Sequence, residues 1–120
     1  MTGIAYVRSA LKNDAYIASQ TEQIKKKAAI ENIELADIIV KNGVNGIRSK
    51  QDLKKFLNEI KKTESDVIIV ADITRITRNM RLLLELQDNL QKENISILVS
   101  TGEVNYEGIK SYLQHFGCSR

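Results

Sequence analysis

The sequence predicts an open α/β domain, a four-stranded and largely parallel sheet flanked by helices in three layers. Three observations lead there. Strand-like apolar runs alternate with helix-like amphipathic runs along the chain. The central run Val67-Ile68-Ile69-Val70 is apolar throughout, as in a parallel strand covered on both faces. A length of 120 residues with 42% apolar content supports one core and one domain.

Each element has its own signal. Ile4-Ala5-Tyr6-Val7 forms the first strand, placed at residues 3–8, which ends at the polar pair Arg8-Ser9. Residues 20–32 read as the first helix, with Ser19 as N-cap, Glu22 three residues on as in a capping box, and Ile24 and Ala28 on one face. The second strand is placed at 34–40, with Ile38-Ile39-Val40 as a buried run. Residues 41–49 form a loop in which both glycines follow an asparagine, as turn chemistry prefers. Lys50 to Lys62 is an amphipathic helix whose stripe is Leu53, Phe56, Leu57 and Ile60. The third strand spans 66–71. A helix over 79–93 turns Met80, Leu83, Leu84, Leu86 and Leu90 inward, and the fourth strand spans 95–100. Residues 105–116 begin another helix, whose stripe Ile109, Leu113 and Phe116 is expected either to drive self-association or to belong to a disordered C-terminal tail.

Composition narrows the function classes. Proline is absent, so long unbroken helices are allowed, and aromatics at 5% leave the core to Ile, Leu and Val. The net charge of +3 is unevenly spread: residues 1–62 hold twelve Lys/Arg against seven Asp/Glu, and residues 63–120 hold six against eight. A basic first half suits a polyanionic partner, although Lys25, Lys26 and Lys27 also read as a solvated helix face. Cys118 is the single cysteine, so no intrachain disulfide forms, which fits a cytoplasmic protein. The longest apolar run, Val67 to Ala71, is too short to span a membrane. His115 has no Asp or Cys at metal spacing, Gly-x-Gly-x-x-Gly is absent, and no pair of acids follows the first strand as a phosphoacceptor receiver would need.

In open α/β sheets, functional groups gather beyond the C-terminal strand ends. Three segments fall there: Arg8-Ser9, the loop 41–49, and Asp72 to Arg78. Arg75 and Arg78 lie three apart and share a side if their segment is helical, which would make a fork for a phosphate. A serine hydroxyl beside such arginines has the chemistry to attack a phosphodiester, because guanidinium stabilises charge on the phosphate oxygens.

Together these segments resemble the serine recombinases, the resolvase/invertase family. Tyr6-Val7-Arg8-Ser9 with Gln20 resembles the family's opening Tyr-x-Arg-x-Ser and helix-one glutamine. Lys41-Asn42-Gly43-Val44-Asn45-Gly46 is similar to its Asp-x-Gly-x-Ser-Gly loop, and residues 67–78 are similar to its strand followed by Asp-Arg-Leu-x-Arg. The resemblance implies site-specific DNA recombination. Serine cuts the strand through a 5′-phosphoserine link, the ends are exchanged in a dimer or tetramer on DNA, and no cofactor, metal or nucleotide takes part. It assigns catalysis to Ser9, Arg8, Arg75 and Arg78, with Tyr6, Gln20, Asn45 and Arg48 in support. It also implies that residues 1–120 are the catalytic-type domain, ending early in a long dimerisation helix and lacking a DNA-reading domain. Resolution, inversion and integration all stay open.

The chain departs from the pattern at particular positions. The family serine lies two residues after the arginine, where this chain has Ala10, so either Ser9 replaces it or the hydroxyl is lost. The loop acid is Lys41 and the loop serine is Asn45. Thr74 stands before the arginine pair, with Asp72 displaced by two. The later loop arginine corresponds to Arg48 or is replaced by Lys50. Two readings follow: a strand-cleaving recombinase, or a recombinase-like domain that binds DNA or a partner subunit without catalysis. They separate on whether Ser9 or Ala10 faces the arginines.

Overall fold

The structure is a computed structural model describing residues 1–100. The expected helix over 105–116, its stripe Ile109, Leu113 and Phe116, and the residues His115 and Cys118 lie outside the described residues. Four strands, β1 (Thr2–Ser9), β2 (Glu34–Asn42), β3 (Val67–Val70) and β4 (Ser96–Val99), form one sheet in the order β2-β1-β3-β4. Every neighbouring pair is parallel. Three helices connect them: α1 (Asp14–Ile30), α2 (Lys50–Lys61) and α3 (Met80–Lys92).

The period-2 alternation of β1 divides the core. Ile4 and Tyr6 face a cluster with Phe56, Leu57 and Ile60 of α2 and Leu82, Leu86 and Leu90 of α3. Ala5 and Val7 face the opposite cluster with Ile24 and Ala28 of α1. The sheet is therefore the middle of three layers, and Tyr6 meets Phe56 edge-on with ring centroids 5.1 Å apart. The α2 stripe packs as expected, and β3 is fully buried. Among the described residues, no helix is long and apolar enough to cross a membrane.

Three local expectations are corrected. The first helix starts six residues early: Asn13 is the N-cap, its side chain accepting from the Tyr16 amide, so Ser19 is an ordinary exposed position and Gln20 lies in the second turn. An asparagine carbonyl capped the chain before Ser19 had a free turn to cap. The Ile38-Ile39-Val40 run is only partly buried, with Val40 51% exposed, because β2 is an edge strand rather than a central one. Met80 opens α3 on its solvent side, outside the Leu82, Leu86, Leu90 face.

Candidate phosphate-binding site

The site grows from the place where β1 outruns β3. Their pairing covers Gly3 to Ala5, whereas β1 stays paired with β2 as far as Ser9. Ser9 turns its carbonyl to the amides of Gly43 and Val44, at 2.8 and 3.1 Å. Arg8 has no strand on its other side, and Gln20 of α1 takes that place. The buried Gln20 side chain accepts from the Arg8 amide at 3.1 Å and donates to the Arg8 carbonyl at 2.8 Å. One side-chain amide thus satisfies both main-chain groups of Arg8.

Arg8 is only 6% exposed, and its guanidinium has no carboxylate partner among the described residues. Three main-chain carbonyls receive it instead: Nε donates to Arg75 at 2.6 Å, Nη1 to Val44 at 3.0 Å and Nη2 to Thr74 at 3.1 Å. Burial pulls its pKa down; the nearby Tyr6 opposes this, and Arg75 and Arg78 add to it. Guanidinium nonetheless stays charged at physiological pH.

These contacts tie the two other loops together. Ile47 donates its amide to the Ile76 carbonyl at 2.9 Å, and Thr77 returns a hydroxyl bond to the Ile47 carbonyl at 2.8 Å. Gly46 sits where this seam is tightest. A Cβ there would lie 2.8 Å from the Ile76 carbonyl and 3.4 Å from the Arg8 guanidinium, so only glycine fits without movement. Ser49 caps α2 by accepting from the Asp52 amide, and Asp52 accepts from the Arg48 amide at 3.1 Å, which holds Arg48 at the loop exit.

The result is an open cavity of about 560 Å³, lined in part by Arg8, Ala10, Asn45, Arg48, Thr74 and Arg78. The structure brings together Arg8, Arg48, Arg78 and Asn45 from the expected set. Arg48 and Arg78 are exposed and have no ion pair among the described residues. Three cations line one cavity, with no acid lining it among the described residues, which gives it the charge to attract an anion.

Four expected residues stand elsewhere. Ser9 is buried on the Ala5/Val7 side of β1, and its hydroxyl donates to the Leu11 carbonyl. Ala10, the first residue past β1, is the one that lines the cavity. Arg75 and Arg78 do not share a helical face: a 3-10 turn covers only Ile73–Arg75 and ends before Arg78. Asp72 ends that expectation by accepting from the Thr74 amide and hydroxyl, which closes a tight turn in place of a helix. Arg75 leans away, 5.1 Å over the Tyr16 ring, with Nε 3.5 Å from Asp72 Oδ2 and no hydrogen bond of its own on that nitrogen. Gln20 holds the Arg8 main chain rather than lining the cavity. Tyr6 lies behind the site, and burial, opposed by Arg8 and reinforced by Glu59, pushes its pKa up to about 12.

Sequence reasoning missed Tyr16, Asn42 and Thr77. Asn42 accepts from the Asn13 amide at 2.8 Å and donates to Asp14 at 2.7 Å, pinning the turn that carries Ala10. The Asn13-Asp14 pair is a helix-start signal that would have exposed both Tyr16 and this anchor.

Comparison with known proteins agrees with this fold. Residues 3–115 match the family described as resolvase, N-terminal domain. Transposon Tn1546 resolvase of Enterococcus faecium is 39% identical over 62 residues, covering 51% of this chain and 31% of that protein. The match thus spans about a third of that relative's length. The N-terminal catalytic domain of TP901-1 integrase superposes with a TM-score of 0.77 at 18% identity, over 98% of this chain and 96% of that one. A resolvase family site-specific recombinase from Streptococcus pneumoniae gives 0.73 at 19% identity, over 98% and 85%. At these identities the structural matches establish the fold.

Proposed function

We propose that this chain, which belongs to the resolvase N-terminal domain family, binds a DNA backbone phosphate between Arg8, Arg48 and Arg78 and does not itself cut the strand. The single observation that supports the reading is that Ala10, and not Ser9, lines the cation-lined cavity. Strand cleavage in a serine recombinase needs a hydroxyl oxygen that attacks phosphorus while the leaving 3′ oxygen takes up a proton. A methyl group at position 10 supplies no such oxygen. The Ser9 hydroxyl is turned to the Leu11 carbonyl on the other side of β1.

Binding needs none of this. Arg48 and Arg78 offer free guanidinium forks at the cavity mouth, and Arg8 adds fixed positive charge from below. Arg75, stacked on Tyr16, contributes to the field rather than to a contact. Assembly as a dimer or tetramer on DNA goes with this reading.

The experiment has two arms. A salt titration of duplex DNA binding should show Arg48→Ala and Arg78→Ala each lowering the slope by about one unit, without changing sequence preference. In the second arm, a nicked suicide duplex is offered to the wild type and to Ala10→Ser, each joined to a DNA-reading region. A 5′-phosphoserine adduct is expected only from Ala10→Ser. Unchanged affinity and slope in both arginine variants would remove the phosphate site. An adduct on Ser9 of the wild type would return the chain to the cleaving enzymes.

A further inference from the structure

The loop 44–48 is a partition as well as a wall. On its far side lies a second cavity of about 410 Å³, between the loop and α2. Asn45, Gly46, Ile47 and Arg48 line both spaces. The second cavity is built differently from the first. Its apolar lining includes Phe56, Ile47 and Tyr6, all core residues that hold the surface rigid. Lys41 is bound to Glu59 at 3.2 Å on one side, and the Asp52 carboxylate is held by the Arg48 amide. Arg48 and Lys55 remain on the rim, each without an ion pair among the described residues.

We infer that this second cavity receives one nucleotide of a DNA strand, its base against the Phe56, Ile47 and Tyr6 lining and its phosphate between Arg48 and Lys55. The inference rests on the proposed phosphate site, to which it adds the neighbouring unit of the same strand.

The size decides against a bare anion. A phosphate leaves most of 410 Å³ empty and makes no use of an apolar lining, whereas a base with its sugar fills such a space. The lining carries three cations, Lys41, Arg48 and Lys55, against two acids, Asp52 and Glu59, so one positive charge is in excess, and a neutral apolar ligand would desolvate these charges without return. Arg48 supplies the connection: it lines both cavities, as a residue between consecutive phosphates of one strand must. Asn45 also lines both and offers an amide with donors and an acceptor, suited to a base edge. The Tyr6 phenol, held neutral by its surroundings, keeps its hydrogen at working pH. A base enters such a cavity only when unstacked, so the occupant is a single-stranded or locally opened nucleotide.

Lys54 and Lys55 make the test clean. They are adjacent on α2, both exposed, and equal in charge, but only Lys55 lines the cavity. Binding to the full 120-residue chain would be measured with a short single-stranded oligothymidylate and with the same backbone carrying abasic sugars. The wild type should prefer the base-bearing strand by on the order of tenfold, the scale of one base contact. Lys55→Ala should weaken that strand by several-fold and remove about one unit of salt slope, while Lys54→Ala leaves both unchanged. Equal losses for the two lysines, or equal binding of the abasic strand, would overturn the inference. Arg78→Ala separates the two sites. If it weakens both strands while Lys55→Ala weakens neither, the phosphate site stands and the nucleotide cavity falls. If neither strand binds the wild type, both fall.

Discussion

Replacing Gln20 by methionine tests whether a helix side chain ends the sheet. Gln20 is 2% exposed, and its amide satisfies the Arg8 amide at 3.1 Å and the Arg8 carbonyl at 2.8 Å. Methionine has a similar volume and flexibility, so the packing term should stay below about 1.5 kcal/mol. It can neither accept well nor donate, so two buried main-chain groups lose their partners. At about 1–3 kcal/mol for each of the two orphaned groups, Gln20→Met should destabilise the fold by about 2–6 kcal/mol. In urea denaturation that corresponds to a midpoint lower by about 1–3 M at a slope of about 2 kcal/mol per M. Gln23→Met, on the exposed side of the same helix, should move the midpoint by less than about 0.5 kcal/mol equivalent. Amide exchange by NMR adds a local reading: Arg8 should lose protection in Gln20→Met beyond that of its strand neighbours. If the two variants have the same midpoint, or if the Arg8 amide stays protected, the amide bridge is not what holds this strand end.

Two further outcomes are expected. Phe56→Ala removes a ring that is 5% exposed and packed edge-on against Tyr6, and should destabilise by about 3–5 kcal/mol in the same denaturation assay; an unchanged midpoint would refute the packing. Tyr6 has its pKa raised to about 12, from the ordinary 10.0, chiefly by burial. Its contribution to stability is therefore complete below pH 10 and is lost as the pH rises from there toward 12, by about 2–3 kcal/mol in all. Comparing denaturation at the two ends of that range in the wild type and Tyr6→Phe isolates this share, and a wild type that loses no more than Tyr6→Phe would contradict it.

The sheet was legible because its signals are local. Val67 to Val70 could be read as a central strand from four apolar residues, and the α2 stripe from its spacing alone. The same locality explains the failures. Ile38 to Val40 reads like β3, but burial of a strand depends on its position in the sheet, which no window of sequence contains. The arginines were visible as chemistry, and their partners were not. Whether Arg75 joins Arg78 depends on Asp72 closing a tight turn and on Tyr16 arriving from a helix that began earlier than read. The choice between Ser9 and Ala10 was visible as a question of strand parity, and the turn pinned by Asn42 carries Ala10 to the cavity.

The buried Arg8 also bears on the order in which the chain folds. Its three carbonyl partners lie 67, 36 and 66 residues away in sequence. The Val44 bond needs β1 and the loop after β2, and the Arg75 and Thr74 bonds need β1 and the turn after β3, so the full set forms only once all three segments have been brought together, and closing such long loops precedes any gain from them. The helices and the β3–β4 pair can form before that moment. The guanidinium should therefore lock in after the main folding barrier, so that removing it speeds unfolding and leaves the folding rate nearly unchanged. A chain interrupted anywhere between Arg8 and Thr74 could hold much of its secondary structure and still have no anion site.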